Sequence, residues 1–513
     1  MTSLFTAVYV IAALFLALYG ANALLLTLVY WRVRQRQPAE PTLTSAPWVT
    51  VQLPIYNEMY VVERLIDAVA QLDYPADCLQ IQILDDSTDE TTAIAQTRVD
   101  HYRARGVDIA LVRRQGREGF KAGALAHGLR SATGGLITIF DADFVPPSDF
   151  LRRTVPYFQA DSRLGFLQTR WGHLNADYSA LTRVQALALD GHFAIEQTAR
   201  QRAGWFMNFN GTAGLWRRTC IDESGGWSGD TLSEDLDLSY RAQLAGWRCA
   251  YLPHVVAPAE VPPQLAAFKR QQFRWAKGSI QCLRKLAKDV WRAPRSLTAR
   301  LQALVHLSSY LAHPLMVLML LATLPLLLSG ARLNWPLAYL SLASLGPPIL
   351  YAVAQKALYP DWWQRYARMP LLVLLGGGIA LNNSVAVLQG LLGRENRFHR
   401  TPKFRLEGKN GRWRDQRYAL SLDWMILGEV LLALYAALTI AVAWTQGHPW
   451  AIPFLCLYLG SFGMVAVVGL WQSIAPAFAA RAARKTASVI RQTASSPLAA
   501  SPSAVWPMPR RGN

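Results

Sequence analysis

Cysteine is sparse and scattered: a chain of 513 residues has five, Cys78, Cys220, Cys249, Cys282 and Cys456. None stands in a Cys-x-x-Cys pair, so neither a zinc cluster nor a disulfide framework is expected, and the thiols read as reduced and cytosolic. Acids are scarce beside bases, 34 against 52, for a net charge of +18. Such an excess suits nucleic acid only where it clusters in a recognisable binding motif. No RNA- or DNA-binding motif is present, so nucleic acid is not an expected partner. No internal repeat is evident.

What is abundant is apolar sequence, 52% of the chain, which is high for a wholly water-soluble protein. Leu4 to Tyr30 is almost uninterrupted apolar sequence, longer than the ~20 residues that cross a bilayer. The basic stretch Trp31 to Arg36 comes after it, where the positive-inside rule places such charge. This predicts a transmembrane anchor over residues 1–36. The competing reading, a signal peptide cleaved near Ala21-Asn22-Ala23, lacks a basic n-region, and the apolar run continues past that point.

Between residues 47 and 290 the apolar runs are short and alternate strand-like segments with helical ones, which predicts an α/β domain. From 291 to 475 the runs lengthen: Leu304 to Leu328, Trp335 to Leu358, Leu371 to Leu392, Leu422 to Trp444 and Ile452 to Trp471 are each apolar enough to consider as spans. The loop 393–418 carries nine Arg or Lys against three acids and is expected in the cytosol, as is the connection Pro360 to Pro370. Leu371 to Leu392 cannot join two cytosolic loops by one crossing. Its Gly376-Gly377-Gly378 and Asn382-Asn383 suit a re-entrant or interfacial segment instead. The count is then five crossings, with the amino terminus outside and the α/β domain cytosolic, as an integral multi-pass protein of the plasma (inner) membrane. The tail 476–513 is expected to be cytosolic, and disordered where it becomes rich in Ser, Ala and Pro after about Ser495.

Several acidic clusters sit where strands are expected to end. "IQILDDSTDE" runs from Ile81 into Asp85 and Asp86, and Leu136 to Phe140 runs into Asp141-Ala142-Asp143. Ligands of α/β sheets lie beyond the carboxyl ends of strands, and residues two apart in an extended chain face the same way. Two such carboxylates suit a divalent cation that keeps water and phosphate oxygens in its other positions. Alone, Asp-x-Asp before Pro146-Pro147 reads first as a capped turn, since the pattern often occurs by chance. It is accompanied by Ser233-Glu234-Asp235 and by Gln271-Gln272-Phe273-Arg274-Trp275, which on a helix sets Gln271, Arg274 and Trp275 within one turn. Arg forks onto phosphate oxygens, and indole offers a flat face to a sugar ring. By itself that segment reads equally as an amphipathic interfacial helix, with Arg snorkelling and Trp at the membrane level.

Together and in this order, these motifs resemble the D, DxD, TED and QxxRW signature of membrane-bound family 2 glycosyltransferases, the cellulose, chitin and hyaluronan synthases and their relatives. The likeness is strongest to plant cellulose-synthase-like mannan and glucan synthases, through "VQLPIYNE", "IQILDDSTDE", "FKAGAL", "IFDADF", "FNGTAGLWRR" and "SEDLDLSYRAQLAGW". Ser233 replaces the usual Thr and keeps its hydroxyl.

The resemblance implies a GT-A-type, Rossmann-like cytosolic domain joined to an α-helical transmembrane region, with a UDP- or GDP-sugar as donor and Mg²⁺ or Mn²⁺ as cofactor. Tyr56 and Glu58, with Asp85 or Asp86, would hold base and ribose, and Lys121 would approach the diphosphate with Gln271 and Arg274. Asp143, helped by Asp141, would hold the metal. Asp235, beside Glu234, would be the general base in an inverting transfer. Asn210, Gly211 and Thr212 would meet the acceptor, with Trp275 as a platform beneath it. Gln168 is a further candidate, against the reading of a satisfied surface amide. In the basic loop, Phe398, Thr401 and Lys403 resemble the FxxTxK gating loop of cellulose synthases, in which positive charge suits a mobile lid over a diphosphate.

The expected product is a β-glucan or β-mannan extended at the membrane. The alternative acceptor is a lipid, since ceramide and diacylglycerol glucosyltransferases carry similar motifs. A transporter or scaffold is a third reading, disfavoured because the ionisable clusters lie outside the apolar segments.

Overall fold

A computed structural model describes residues 2–36, 40–330, 340–396, 398, 400–414, 416–420 and 423–494. Its centre is a seven-stranded sheet. The strands are β1 (Val49–Ile55), β2 (Leu79–Asp85), β3 (Ile109–Arg113), β4 (Leu136–Ile139), β5 (Leu164–His173), β6 (Gly214–Arg217) and β7 (Arg248–Ala259), in the order β3-β2-β1-β4-β6-β5-β7. β1 is parallel to both β2 and β4, β6 runs antiparallel to its neighbours, and β5 is parallel to β7. The mixed sheet with a parallel β3-β2-β1-β4 half is the GT-A-type arrangement expected from the sequence.

Alternation in β1 explains its two buried faces. Val49, Val51, Leu53 and Ile55 join one apolar core, while Thr50 and Gln52 point to the other side. Gln52 donates to Gln82 on β2 at 3.0 Å, and Thr50 donates to Gln80 at 2.9 Å. These polar pairs satisfy one another where the helix Phe120–Leu129 packs, and a Cβ at Gly128 would lie 2.6 Å from the Gln52 amide. Hydrogen bonds across strands lower the cost of polar residues inside a parallel sheet, although Gln52 Oε1 is buried without a partner among the described residues. Neighbours on both sides of β1 make its carboxyl end the topological switch point, the position at which such sheets open a ligand crevice.

Among the described residues four helices are long and apolar enough to cross a membrane: Ser3–Val33, Ser309–Leu328, Met425–Thr445 and Pro449–Ser473. The Trp335 to Leu358 run differs from expectation. Residues 331–339 lie outside the described part, and from Ser341 the chain forms a short 3₁₀ turn, Ser341–Leu345, then an α-helix of only 13 residues, Gly346–Leu358. Pro347 and Pro348 stand in the first turn of that helix, and they shorten what hydropathy alone reads as one span. The Leu371 to Leu392 run is two helices, Met369–Gly378 and Ala380–Leu391, in a pair bent by 44°, as a broken or re-entrant segment requires. The helix beginning at Ile452 continues to Ala494, and the stretch from Ser495 onward lies outside the described residues.

Small residues let the helices approach. A Cβ at Gly346 would meet the Gly20 carbonyl oxygen at 2.0 Å, joining the first helix to Gly346–Leu358, the packing that small residues permit between membrane helices. The sheet domain is tied to the bundle by the helix Leu265–Arg292, whose buried Lys269 reaches Glu429 at 2.6 Å and Asp423 at 2.9 Å. Removing one partner of a buried pair strands the other charge. Lys269→Met is therefore expected to destabilise the protein by about 3–5 kcal/mol, and Lys269→Met with Glu429→Leu is expected to recover most of that loss, as read by thermal unfolding in detergent.

Candidate active site

The carboxyl ends of β1, β2 and β4 open into one cleft, closed on its far side by the helices Glu234–Leu244 and Leu265–Arg292 and by the loop after Leu391. Tyr56, Glu58, Asp86, Lys121, Asp141, Asp143, Asn210, Gly211, Glu234, Asp235, Gln271, Arg274, Trp275, Phe398, Thr401 and Lys403 all line it. Segments far apart in the chain meet here: Lys403 Nζ lies 2.6 Å from Asp143 Oδ2, 260 residues away in sequence.

Three sequence candidates sit elsewhere, each for a physical reason. Asp85 continues the β2 alternation of Ile81 and Ile83, so its side chain turns into the protein. There it accepts from the Ser87 backbone at 2.9 Å and from Thr92 Oγ1 at 2.7 Å, shaping the turn rather than facing a nucleotide. Asp86 alone of the pair faces the cleft, held bidentately by Arg114 at 2.7 and 2.8 Å. Thr212 is fully buried, and its hydroxyl accepts from the Asp141 backbone at 2.9 Å. It positions Asp141 and does not face an acceptor. Gln168 is buried rather than a surface amide. It donates to the Thr212 and Ala213 carbonyls at 3.0 and 3.1 Å and accepts from the Asn210 backbone at 2.8 Å. It thereby holds the Asn210–Ala213 turn in shape.

That turn brings backbone against chemistry. Gly211 has φ +80°, and a Cβ there would lie 2.9 Å from Asp235 Oδ2. Its carbonyl accepts from Lys121 Nζ at 2.9 Å. Glycine is required both for the left-handed conformation and for the close approach. Similarly, a Cβ at Gly278 would meet Ser233 Oγ at 2.1 Å, so the helix bearing Gln271, Arg274 and Trp275 packs directly on the Ser233-Glu234-Asp235 turn. Gly278, three and four residues beyond Trp275 and Arg274, is not among the sequence candidates. Its regular spacing along the helix is the available signal.

Most acids in the cleft have a cation, though Asp235 makes no ion pair among the described residues. Lys121 Nζ is 2.5 Å from Asp141 Oδ1 and 3.8 Å from Glu234 Oε1. Burial works against the Lys121 ammonium, but Asp141 and Glu234 hold its pKa above the ordinary lysine value. Arg400 Nη1 lies 3.2 Å from Glu58 Oε2. Burial pushes the Glu58 carboxyl up to about 8, against the pull of Arg400 and Lys403. Asp235 is pushed up to about 7, by burial first and by the charge of Glu234 second, with Lys121 opposing both. Its Oδ1 accepts from the Leu236 backbone at 2.8 Å, so its orientation is fixed at the start of the helix Glu234–Leu244. A carboxylate poised near neutral pH is suited to accept a proton.

The loop closes the cleft with aromatic and cationic side chains. Phe398 stacks on Phe120 with centroids 5.5 Å apart, under the Arg274 guanidinium at 4.8 Å. Arg117 covers the Tyr56 ring at 3.4 Å. Behind them, Glu260 accepts from the Phe404 and Leu406 backbones at 3.0 and 3.1 Å. The sequence alone assigns no role to Arg114, Arg117, Arg400 or Glu260. The first two stand in the basic run before "FKAGAL", and Arg400 stands inside the FxxTxK segment.

Asp141 and Asp143 suit a hard divalent cation. Each gives one oxygen to a lysine and keeps its second oxygen without a protein donor among the described residues, and carboxylate oxygens are the donors such ions take.

Residues 46–278 match the family model described as glycosyltransferase like family 2. Among curated relatives, the chain is 44% identical over 248 residues to probable glucomannan 4-beta-mannosyltransferase 7 of Oryza sativa subsp. japonica, covering 48% of this chain and 42% of that one. It is 40% identical over 253 residues to glucomannan 4-beta-mannosyltransferase 2 of Arabidopsis thaliana, covering 48% and 47%. The chain thus spans about half the length of the curated relatives it matches. In fold it is similar to a solved mannosyltransferase, PcManGT from Pyrobaculum calidifontis in complex with GDP-Man and Mn²⁺, with a TM-score of 0.51, 24% identity, and coverage of 75% of this chain and 99% of that one.

Gly211→Ala is expected to shift Asp235 and Lys121 and to lower transfer by about 10- to 100-fold. Because Lys121 moves too, nucleotide affinity should also fall, but by less, as checked by kcat alongside calorimetric nucleotide binding. Over residues 46–278, then, the chain carries a domain of the glycosyltransferase-like family 2.

Proposed function

We propose that this protein is an inverting hexosyltransferase that moves a sugar, of the mannosyl type, from a nucleoside diphosphate to a growing β-glycan at the cytosolic face of the plasma (inner) membrane. The observation that carries the reading is the convergence of Asp143, Asp235 and Trp275 on one cleft. The printed names of the relatives support mannosyl transfer, and GDP-mannose in the solved neighbour supports a guanine nucleotide as donor.

In this reading Tyr56, Glu58 and Asp86 receive the nucleoside, while Lys121, Gln271 and Arg274 meet the diphosphate. Asp141 and Asp143 would hold Mg²⁺ or Mn²⁺, which supplies neutralisation of the charge that develops on the leaving diphosphate. The acceptor sugar lies on Trp275, with Asn210 and Gly211 beside it. Asp235 takes the proton of the attacking hydroxyl as that oxygen displaces the diphosphate from the anomeric carbon, so one displacement turns an α-linked donor into a β-linked product. Phe398, Thr401 and Lys403 close over the donor and exclude water.

A glycan acceptor, rather than a lipid that receives one sugar, is favoured by polar groups leading from the cleft into the helices. Gln272, next to Gln271, accepts from Tyr310 at 3.5 Å, Tyr310 stacks on His313 at 5.9 Å, and Asn383 donates to His313 at 3.0 Å. Buried polar atoms at Asn208, Asn210 and His313 have no partner of their own among the described residues, so hydroxyls of a sugar chain would satisfy them.

The test is purified protein in lipid, given radiolabelled GDP- and UDP-sugars. Label from GDP-mannose is expected in an alcohol-insoluble polymer, whereas label recovered only in an organic extract would replace the glycan reading with the glycolipid one. Asp235→Asn should reduce transfer at least about 100-fold while nucleotide binding persists. Because Asp235 must be ionised to act, and burial raises its pKa, kcat/KM should climb with pH through about 7. Lys403→Ala should lower kcat by about 100-fold with little change in the melting profile.

A further inference from the structure

Away from the cleft, a cavity of about 670 Å³ lies between the sheet domain, the helix Met369–Gly378 and the carboxyl-terminal membrane helix. That volume is in the range of ligand sites, ~300–1,000 Å³. Its walls are apolar, with Leu371, Leu375, Met464, Val465 and Val468 from the two helices. Its rim is different in kind. Arg412 and Arg414 are exposed at the mouth and make no ion pair with a described acid, and Arg414 lies 4.4 Å over the ring of Trp471. Trp471 ends an apolar stretch of helix, the level at which tryptophan and arginine meet lipid headgroups.

We propose that this cavity is a binding site for one anionic phospholipid, its acyl chain between the helices and its phosphate on Arg412 and Arg414. Charge complementarity selects the occupant. A zwitterionic lipid would bury the same apolar chain but return no net charge to two exposed guanidiniums, and arginine forks match phosphate oxygens. The site also reaches the cleft. Trp413 lines the cavity and packs on Phe404 with centroids 6.3 Å apart, and Phe404 is next in the chain to Lys403, the partner of Asp143. A lipid seated against Trp413 therefore steadies the loop segment that carries Lys403.

The proposal goes beyond the transferase reading and is tested without turnover. The full chain is placed in nanodiscs of phosphatidylcholine with either diazirine-bearing phosphatidylglycerol or diazirine-bearing phosphatidylcholine as a minor component, illuminated, and mapped by peptide mass spectrometry. Adducts on the peptides holding Leu371 to Leu375 and Met464 to Trp471 should be several-fold more abundant with phosphatidylglycerol. The double variant Arg412→Gln and Arg414→Gln should remove that preference while keeping the wild-type melting profile. Val468→Trp, which fills the cavity and spares both arginines, should suppress labelling from either lipid. Equal labelling by the two lipids would overturn the proposal, as would labelling indifferent to the arginine substitutions. Recovery of a hexose-bearing lipid cross-linked in the cavity would make it an acceptor site and overturn it as well.

Discussion

Carboxylates gathered at the mouth of a buried sheet repel one another and lose water, so each needs a cation close by. In this protein the supply is nearly one to one: Arg114 for Asp86, Lys121 for Asp141, Lys403 for Asp143 and Arg400 for Glu58. The side chains of Asp143 and Lys403 are 9% and 11% exposed, so little water screens the attraction between them. This matching helps to set the positions of chain segments far apart in sequence. Two of the four cations come from the loop between apolar helices, so the sheet domain and the bundle are joined electrostatically as well as by packing. It also prepares the cleft for a charged ligand. A diphosphate with its cation would exchange partners with groups already paired, rather than expose naked charge.

The sheet determines which acids are available for this exchange. Strand alternation sends Asp85 inward, where Ser87 and Thr92 satisfy it, and leaves Asp86 at the cleft. The β4 strand ends one residue earlier relative to its chemistry. Phe140 is buried in the core, and Asp141 and Asp143 come after it at the cleft, with Thr212 fixing the backbone between them and β6. Antiparallel β6 is the element that brings the Asn210–Ala213 turn beside β4, and with it Gly211 against Asp235. Asp235 then has its raised pKa because it is buried beside Glu234, with Lys121 in opposition. Its readiness to take a proton follows from where the turn places it.

Much of this is legible in the sequence because the motifs are local. "IQILDD" and "ITIFDAD" show strand alternation followed by acid, and Gly376-Gly377-Gly378 announces the break that bends that helix pair by 44°. Partners are less legible. Nothing near Asp143 in the sequence names Lys403, and nothing near Asp86 singles out Arg114 from the other arginines around it. Pairing across such separations is decided by topology, which periodicity does not report. Where expectation and structure differ, the overlooked signals are short. The period of two in β2 already assigns Asp85 inward, and Gly346-Pro347-Pro348 already marks a helix start inside an apolar run that hydropathy treats as uniform. Thr212 and Gln168 are candidates by sequence, and in the fold they hold the turn whose Asn210 and Gly211 line the cleft.

Glu260 shows how the loop keeps its place while its charges change partners. The residue is 3% exposed at the end of β7 and accepts from the Phe404 and Leu406 backbones. It therefore anchors main chain on both sides of Arg405, whose φ of +57° turns the loop at that point. Anchored in this way, the segment need not leave the sheet for Lys403 to release Asp143, because a flexible four-carbon stem can swing its ammonium between neighbouring oxygens. Arg400 and Phe398 lie before the anchor, where stacking and ion pairing restrain them. The segment over the cleft is thus held by side-chain contacts, whereas Phe404 and Leu406 are held by their main chain.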